Sequence, residues 1–219
     1  MKKKSKTINT DSIVVLFVEG ETDELFYKRL IEELRYDSSK RGEKFKQDIR
    51  IIVENLSGIG QYKTKAARII RNKIKRNNRC CRCCVILCYD TDVFEFQSKP
   101  PFKCEEVVKE LKKNGVDEVK FVKASHSIED WFLIDIDGVL SFLGLPASKN
   151  KAKYASIGLT EIERLFKKAN RIYIKGRKSE GFIESLNMKK ILSFIFDDIK
   201  AIYEELIEPK KQKRKTVNI

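Results

Sequence analysis

Two short stretches carry acids where they could do chemistry. In 15-VLFVEGETDELFY-27 an apolar run stops on Glu19 and Gly20, with Asp23 close behind; about seventy residues on, the apolar run 83–89 stops on Asp90, Thr91 and Asp92. A buried strand ending in acids presents them at its carboxyl edge, where open α/β sheets hold their ligands. Side chains alternate along an extended segment, so Asp90 and Asp92 project the same way and can share one site. Glu19, Asp23, Asp90 and Asp92 are expected to converge. Carboxylates so gathered repel one another and ionise poorly unless cations sit between them, and an oxygen-rich set of this kind suits Mg²⁺ or Mn²⁺. Gly20 permits a close backbone approach where the strand turns into a helix.

The elements that must position these acids follow from the apolar patterning. Residues 13–18 read as a continuous buried strand, and Thr22 reads as the N-cap of a helix over 23–35 with Phe26, Leu30, Ile31 and Leu34 as its inner face. After a polar loop, 48–53 alternates like a strand, 57–60 is a turn, and a basic helix begins near Gln61. The strand at 83–89, a helix carrying Val107, Val108 and Leu111 closed by Asn114 and Gly115, and a strand near 119–122 complete a β-α-β-α-β-α-β rhythm. That alternation implies an α/β fold with a mostly parallel sheet flanked by helices and right-handed crossovers. Beyond Ser125 the pattern turns helical: 128–133, 137–143, a helix through Lys168 opened by a Thr160-x-x-Glu163 capping box, and a long helix over 187–207, with a short strand at 171–175 between them.

The strand-Glu-Gly-x-x-Asp-helix unit followed by strand-Asp-x-Asp resembles the Toprim domain over roughly residues 12–125. The continuations 128-IEDWFLID-135 and 173-YIKG-176 look like the branch of that superfamily that contains OLD and RloB-like antiphage-defence nucleases. The resemblance implies a Toprim core (11–125) and a mostly helical extension completing the site (126–208), while charge marks a basic N-terminal arm (1–10) and a basic tail (209–219). It assigns Glu19 to metal binding or proton handling, Asp23, Asp90 and Asp92 to metal binding, Glu129 as a further ligand, and Lys175 to neutralising charge on the phosphate during attack. Asp23 is one methylene shorter than the glutamate frequent in that branch. Asp130 is the alternative to Glu129, as a ligand or as a helix cap. The implied activity is phosphodiester hydrolysis by a divalent-metal-dependent nuclease acting on DNA or RNA in antiphage defence; if an ATPase is needed, a separate chain must supply it. Two alternatives stand beside it: an RNA-maturing ribonuclease of the small Toprim type, and a non-catalytic nucleic-acid-binding subunit whose acids hold a structural ion.

Charge points to the same class of partner. The 219 residues carry a net charge of +14, and nine of those charges lie at the ends, on Lys2, Lys3, Lys4, Lys6, Lys210, Lys211, Lys213, Arg214 and Lys215. Within the body, 63–82 holds nine cations and no acid, with Ala66, Ala67, Ile69, Ile70 and Ile74 at near-helical spacing. A helix with one packed face and the rest positive suits a polyanion, so Lys63, Lys65, Arg68, Arg71 and Lys75 are nucleic-acid contacts in this reading. No apolar run approaches the length that crosses a bilayer, and the opening residues lack an export pattern, so a cytoplasmic location is expected.

Several motifs are set aside. The run 80-CCRCCVILC-88 has C-x-x-C spacing but no second pair or histidine couple to close a zinc site, and Cys84 and Cys88 read as small hydrophobes in a strand. In 58-GIGQYKT-64 Tyr62 stands where a phosphate-binding loop needs glycine, which excludes ATP hydrolysis at that loop. His126, the only histidine, lies in a helix-entry loop rather than in a nucleophile pair.

Overall fold

The computed structural model describes residues 12–76, 82–92, 103–147 and 158–209. Four strands, β1 (Ser12–Val18), β2 (Ile49–Asn55), β3 (Arg82–Asp90) and β4 (Glu118–Ala124), form one sheet in the order β2-β1-β3-β4. Every pairing is parallel: Ser12 sits opposite Ile49 on one side and Arg82 on the other, and Asp90 is level with Ala124. β1 is 7 residues of unbroken apolar or small side chains because both its faces are covered.

Alternation along the central strands sorts two cores. Val14, Leu16, Val18, Cys84, Ile86 and Cys88 face α1 (Glu21–Lys40) and the helices after β4. Ile13, Val15, Phe17, Cys83, Val85 and Leu87 face α2 (Thr64–Ile69), the π-helical turn Ile70–Lys75 and α3 (Cys104–Lys113). The first core is completed by α4 (Ile128–Leu133), α5 (Ile136–Leu143), α6 (Gly158–Lys168), α7 (Phe182–Ser185), α8 (Met188–Ile195) and α9 (Lys200–Leu206). The chain is therefore an α/β protein with an all-parallel sheet flanked by helices, and the order 2-1-3-4 puts its switch point between β1 and β3.

Several local expectations are corrected. α1 is capped by Gly20 rather than Thr22, because Asp23 takes the Gly20 N–H at 2.9 Å while the buried Thr22 hydroxyl donates to the Arg177 carbonyl at 2.6 Å. The basic helix changes winding at Ile70, which keeps both Ile70 and Ile74 buried. Residues 171–174 are not a strand: no ladder forms there, and Tyr173 turns inward onto Phe166 and Phe182. Thr160 lies within α6 rather than capping it, and the Gly158 amide donates to Asp130 Oδ1 at 2.9 Å. The expected helix over 187–207 is two helices, broken at 196–199, where Ile199 is fully buried.

Cys83, Cys84 and Cys88 are buried within β3, as small hydrophobes would be. Cys80 and Cys81, both basic tails, Arg79 and the C-terminal end of the basic run lie outside the described residues, apart from Arg82 itself.

Candidate metal centre at the carboxyl edge of the sheet

Glu19 and Asp90 leave adjacent parallel strands at the same edge, beside the switch point. Glu19 Oε1 accepts the Asp90 main-chain N–H at 3.0 Å, which ties the first acid to the strand carrying the second. Asp90 Oδ1 accepts the Ile128 N–H at 2.9 Å, so the opening amide of α4 holds that carboxylate from the other side. Its Oδ2 meets Lys175 Nζ at 2.8 Å, and the same ammonium reaches Asp92 Oδ2 at 3.0 Å. Asp90 and Asp92 thus do share one partner.

Asp92 is fixed by the loop before α4. Its N–H donates to the His126 carbonyl at 2.9 Å, and the His126 N–H donates to Thr91 Oγ1 at 2.8 Å. His126 has φ +61, a conformation available to it at modest cost, and acts here through its backbone.

Glu129 comes in on α4, 1% exposed, with Oε1 accepting the Tyr173 hydroxyl at 2.8 Å. Its neighbour Asp130 is turned away: it receives the Ser127 and Gly158 amides at 3.1 and 2.9 Å and closes the N-terminus of α4. Of the two acids, Glu129 is the one that acts electrostatically on Asp23 and Asp90. Among the described residues, Glu129 Oε2 and Asp92 Oδ1 are both buried without a hydrogen-bond partner.

Burial dominates the electrostatics. It pushes Glu19 up to about 7 and Asp23 up to about 6, with Glu129 adding repulsion at Asp23. Asp90 is raised as well, by burial first, with Lys175 opposing and Asp23 and Glu129 reinforcing. Burial works against the Lys175 ammonium, but Asp90, Asp92 and Glu129 outweigh it and hold its pKa above the ordinary lysine value.

The lysine is delivered by a backbone contact of unusual closeness. The Glu21 N–H donates to the Gly176 carbonyl at 2.7 Å, and a Cβ on Gly20 would lie 2.5 Å from Gly176 Cα. Only glycine at position 20 admits that approach, and Gly176 itself has φ +76. Beside this contact lies a cleft of about 520 Å³ lined by Glu19, Asp23, Asn55, Ser57, Lys175 and Arg177 among others.

The five acids fit a hard divalent cation in donor type and in their two unpartnered buried oxygens. They do not form a tight ligand triple as they stand. Among the described residues, the one group of three ligand-type atoms mutually within 4.8 Å is Cys84, Glu118 and Glu205, at the opposite edge. There Glu205 is engaged by Arg82 at 2.8 Å and Lys120 at 2.7 Å, so the group reads as an ion-pair clamp between α9 and the sheet.

The basic helix is only partly at the site. Lys65 donates to the Leu56 carbonyl at 2.9 Å and to Ser57 Oγ at 3.2 Å, next to the cleft, and Lys63 pairs with Glu106 at 2.7 Å. Arg68 and Arg71 are exposed further along. Lys75 is brought elsewhere: it pairs with Asp117 at 3.6 Å, and Asp117 receives the Cys83 N–H at the amino-terminal edge of β3.

Sequence patterning alone does not single out Tyr173, Thr22 or Gly176 as site-building residues. The pattern 173-YIKG-176 carries the signal, but its alternation reads as a strand and points to Lys175 alone.

No protein-family model matches the chain, and no curated protein matches it. Among solved structures, the C-terminal region of the Xanthomonas campestris pv. campestris OLD protein aligns over 86% of this chain and 97% of that one, at 12% identity and a TM-score of 0.35. An ABC domain in complex with L-Trp from Streptococcus pneumonia aligns over 86% and 85%, at 12% identity and a TM-score of 0.21. A LacI family transcriptional regulator from Arthrobacter sp. FB24 aligns over 92% and 93%, at 8% identity and a TM-score of 0.23. Likenesses this distant carry neither fold nor function to this chain. Among the described residues, no helix is long and apolar enough to cross a membrane.

Proposed function

We propose that this chain is a divalent-metal-dependent nuclease that hydrolyses phosphodiester bonds of DNA or RNA. The observation that carries the reading is the meeting of Glu19, Asp23, Asp90, Asp92 and Glu129 around Lys175 at the switch point, with two buried carboxylate oxygens left unpartnered.

In this reading Glu19, Asp23, Asp90, Asp92 and Glu129 would hold Mg²⁺ or Mn²⁺, which when bound polarises a phosphate oxygen and lowers the pKa of a coordinated water. The chain's own groups do the rest. Glu19, with Oε1 engaged by the Asp90 amide, is suited to take a proton from the attacking water through its other oxygen. The water oxygen bonds to phosphorus, the bond to the leaving oxygen breaks, and that oxygen takes up a proton. Lys175 places a fixed positive charge where negative charge accumulates on the phosphate. The open cleft, with Asn55, Ser57 and Arg177 along its wall, gives a polyanion access to the acids. The antiphage-defence role, and an ATPase contributed by a separate chain, rest on the motif resemblance at 128–135 and 173–176.

The test is to incubate the protein with plasmid, single-stranded DNA and total tRNA in Mg²⁺, Mn²⁺ or EDTA, alongside Glu19→Gln. Cleavage that needs the cation and is lost in the variant is expected. Cleavage confined to one folded RNA would favour a maturation ribonuclease, and binding without cleavage under every condition would favour a non-catalytic subunit.

A further inference from the structure

The buried phenol of Tyr173 stands against the site without touching the cleft. Its ring is 6% exposed and wedged at 5.1 Å from Phe166 and 6.1 Å from Phe182, in a tilted and an edge-on contact that leave it little rotational freedom. Its hydroxyl meets Glu129 Oε1 at 2.8 Å. The other oxygen of that carboxylate, Oε2, is buried and unpartnered, an arrangement that costs free energy unless something else engages it. Glu129 is also close enough to act electrostatically on Asp23, Asp90 and Lys175.

We propose that Tyr173 is a positioning residue that fixes the Glu129 carboxylate by one oxygen so that the other is held ready as a cation ligand, an inference that rests on the metal-dependent reading above. A ligating side chain with a free torsion loses entropy when a cation binds; one pinned through its second oxygen has already lost it. A phenol is apt for this task. It presents a single donor on a rigid ring whose rotation is already limited by Phe166 and Phe182. Two residues later in the same stretch, Lys175 reaches Asp90 and Asp92, so a single short segment docked by Gly176 against Gly20 sets both the orientation of one ligand and the placement of the cation's neighbouring charge.

The test is Mn²⁺ affinity by calorimetry or electron paramagnetic resonance, with no substrate present. Tyr173→Phe keeps the ring and removes the donor, and it is expected to weaken Mn²⁺ binding roughly 10–100-fold with unchanged far-UV circular dichroism. In a Glu129→Gln background the same substitution is expected to change affinity by less than about twofold, since the two residues act as one unit. An equal loss in both backgrounds would mark Tyr173 as general packing and overturn the proposal. Wild-type binding with an unaffected Tyr173→Phe would overturn it while leaving the metal site standing; no Mn²⁺ binding by the unaltered protein would sink both. Should Tyr173→Phe fail to fold, Tyr173→Met, which fills the space without a donor, is measured in its place against the same outcomes.

Discussion

Glu19 and Asp90 are joined across the two central strands, the carboxylate of one accepting the main-chain N–H of the other at 3.0 Å. The link is made through Oε1, an atom that glutamine also has. Glu19→Gln is therefore expected to keep the link and the fold while removing the negative charge and the proton acceptor. Cleavage should fall by roughly 10²–10⁴-fold, with Tm within a few degrees of the parent. A variant that cleaves at the parental rate in Mg²⁺ would remove Glu19 from the chemistry.

The acids also make metal-free stability depend on pH. Glu19 and Asp23 have folded pKa values of about 7 and about 6, above their ordinary 4.5 and 3.8, so the folded state favours their neutral forms. The corresponding stability is fully present below pH 4 and is lost as pH rises through 6 and 7. Glu205, held by Arg82 and Lys120, is depressed to about 2 against burial and contributes stability that is already complete above its ordinary 4.5, so it does not change across this range. Chelator-treated protein should melt lower at pH 8 than at pH 5. Mn²⁺ should restore Tm at pH 8 and do little at pH 5; a Tm that rises from pH 5 to pH 8 without metal would contradict the assignment.

Gly20→Ala tests the docking of the lysine segment. The new Cβ would sit 2.5 Å from Gly176 Cα and 2.8 Å from its carbonyl oxygen, both backbone atoms that cannot swing aside. Overpacking of this kind costs about 1–3 kcal/mol, or roughly 2–12 °C in Tm for a chain of this size. Faster hydrogen exchange should appear at the amide of Glu21, whose acceptor is the Gly176 carbonyl. Unchanged melting and exchange would mean that the contact is loose.

Position along the basic helix predicts which cations meet a substrate. Lys65 lies by the cleft, whereas Lys75 is paired with Asp117 at the far edge. Lys65→Ala is expected to lower the slope of log affinity against log salt by about one unit, and Lys75→Ala to leave it unchanged. Filter binding or fluorescence anisotropy at several salt concentrations distinguishes them; equal slopes for the two variants would place the nucleic acid along the whole helix instead.

Much of the architecture was legible because it is local. The run into Glu19, the run into Asp90 and the alternation of strands with helices are written in hydrophobic period, and they specify a parallel sheet and its acid-bearing edge. The rest depends on partners far away in the chain. Thr22 looks like a cap until its hydroxyl finds the Arg177 carbonyl 155 positions later. Ile172 and Ile174 alternate about Tyr173 as a strand would, yet Ile172 is 84% exposed and the segment is held by the phenol and by Gly176 rather than by a ladder. The apolar stripe from Ile191 to Leu206 is continuous, with neither glycine nor proline to announce the break at 196–199.

Both acid-bearing strands are interior to the sheet, with β2 and β4 on their outer flanks. Neither can be peeled away by fraying. Changes in the outer strands would leave the spacing of Glu19 and Asp90 untouched, whereas changes in the connections that carry Asp92, Glu129 and Lys175 would not.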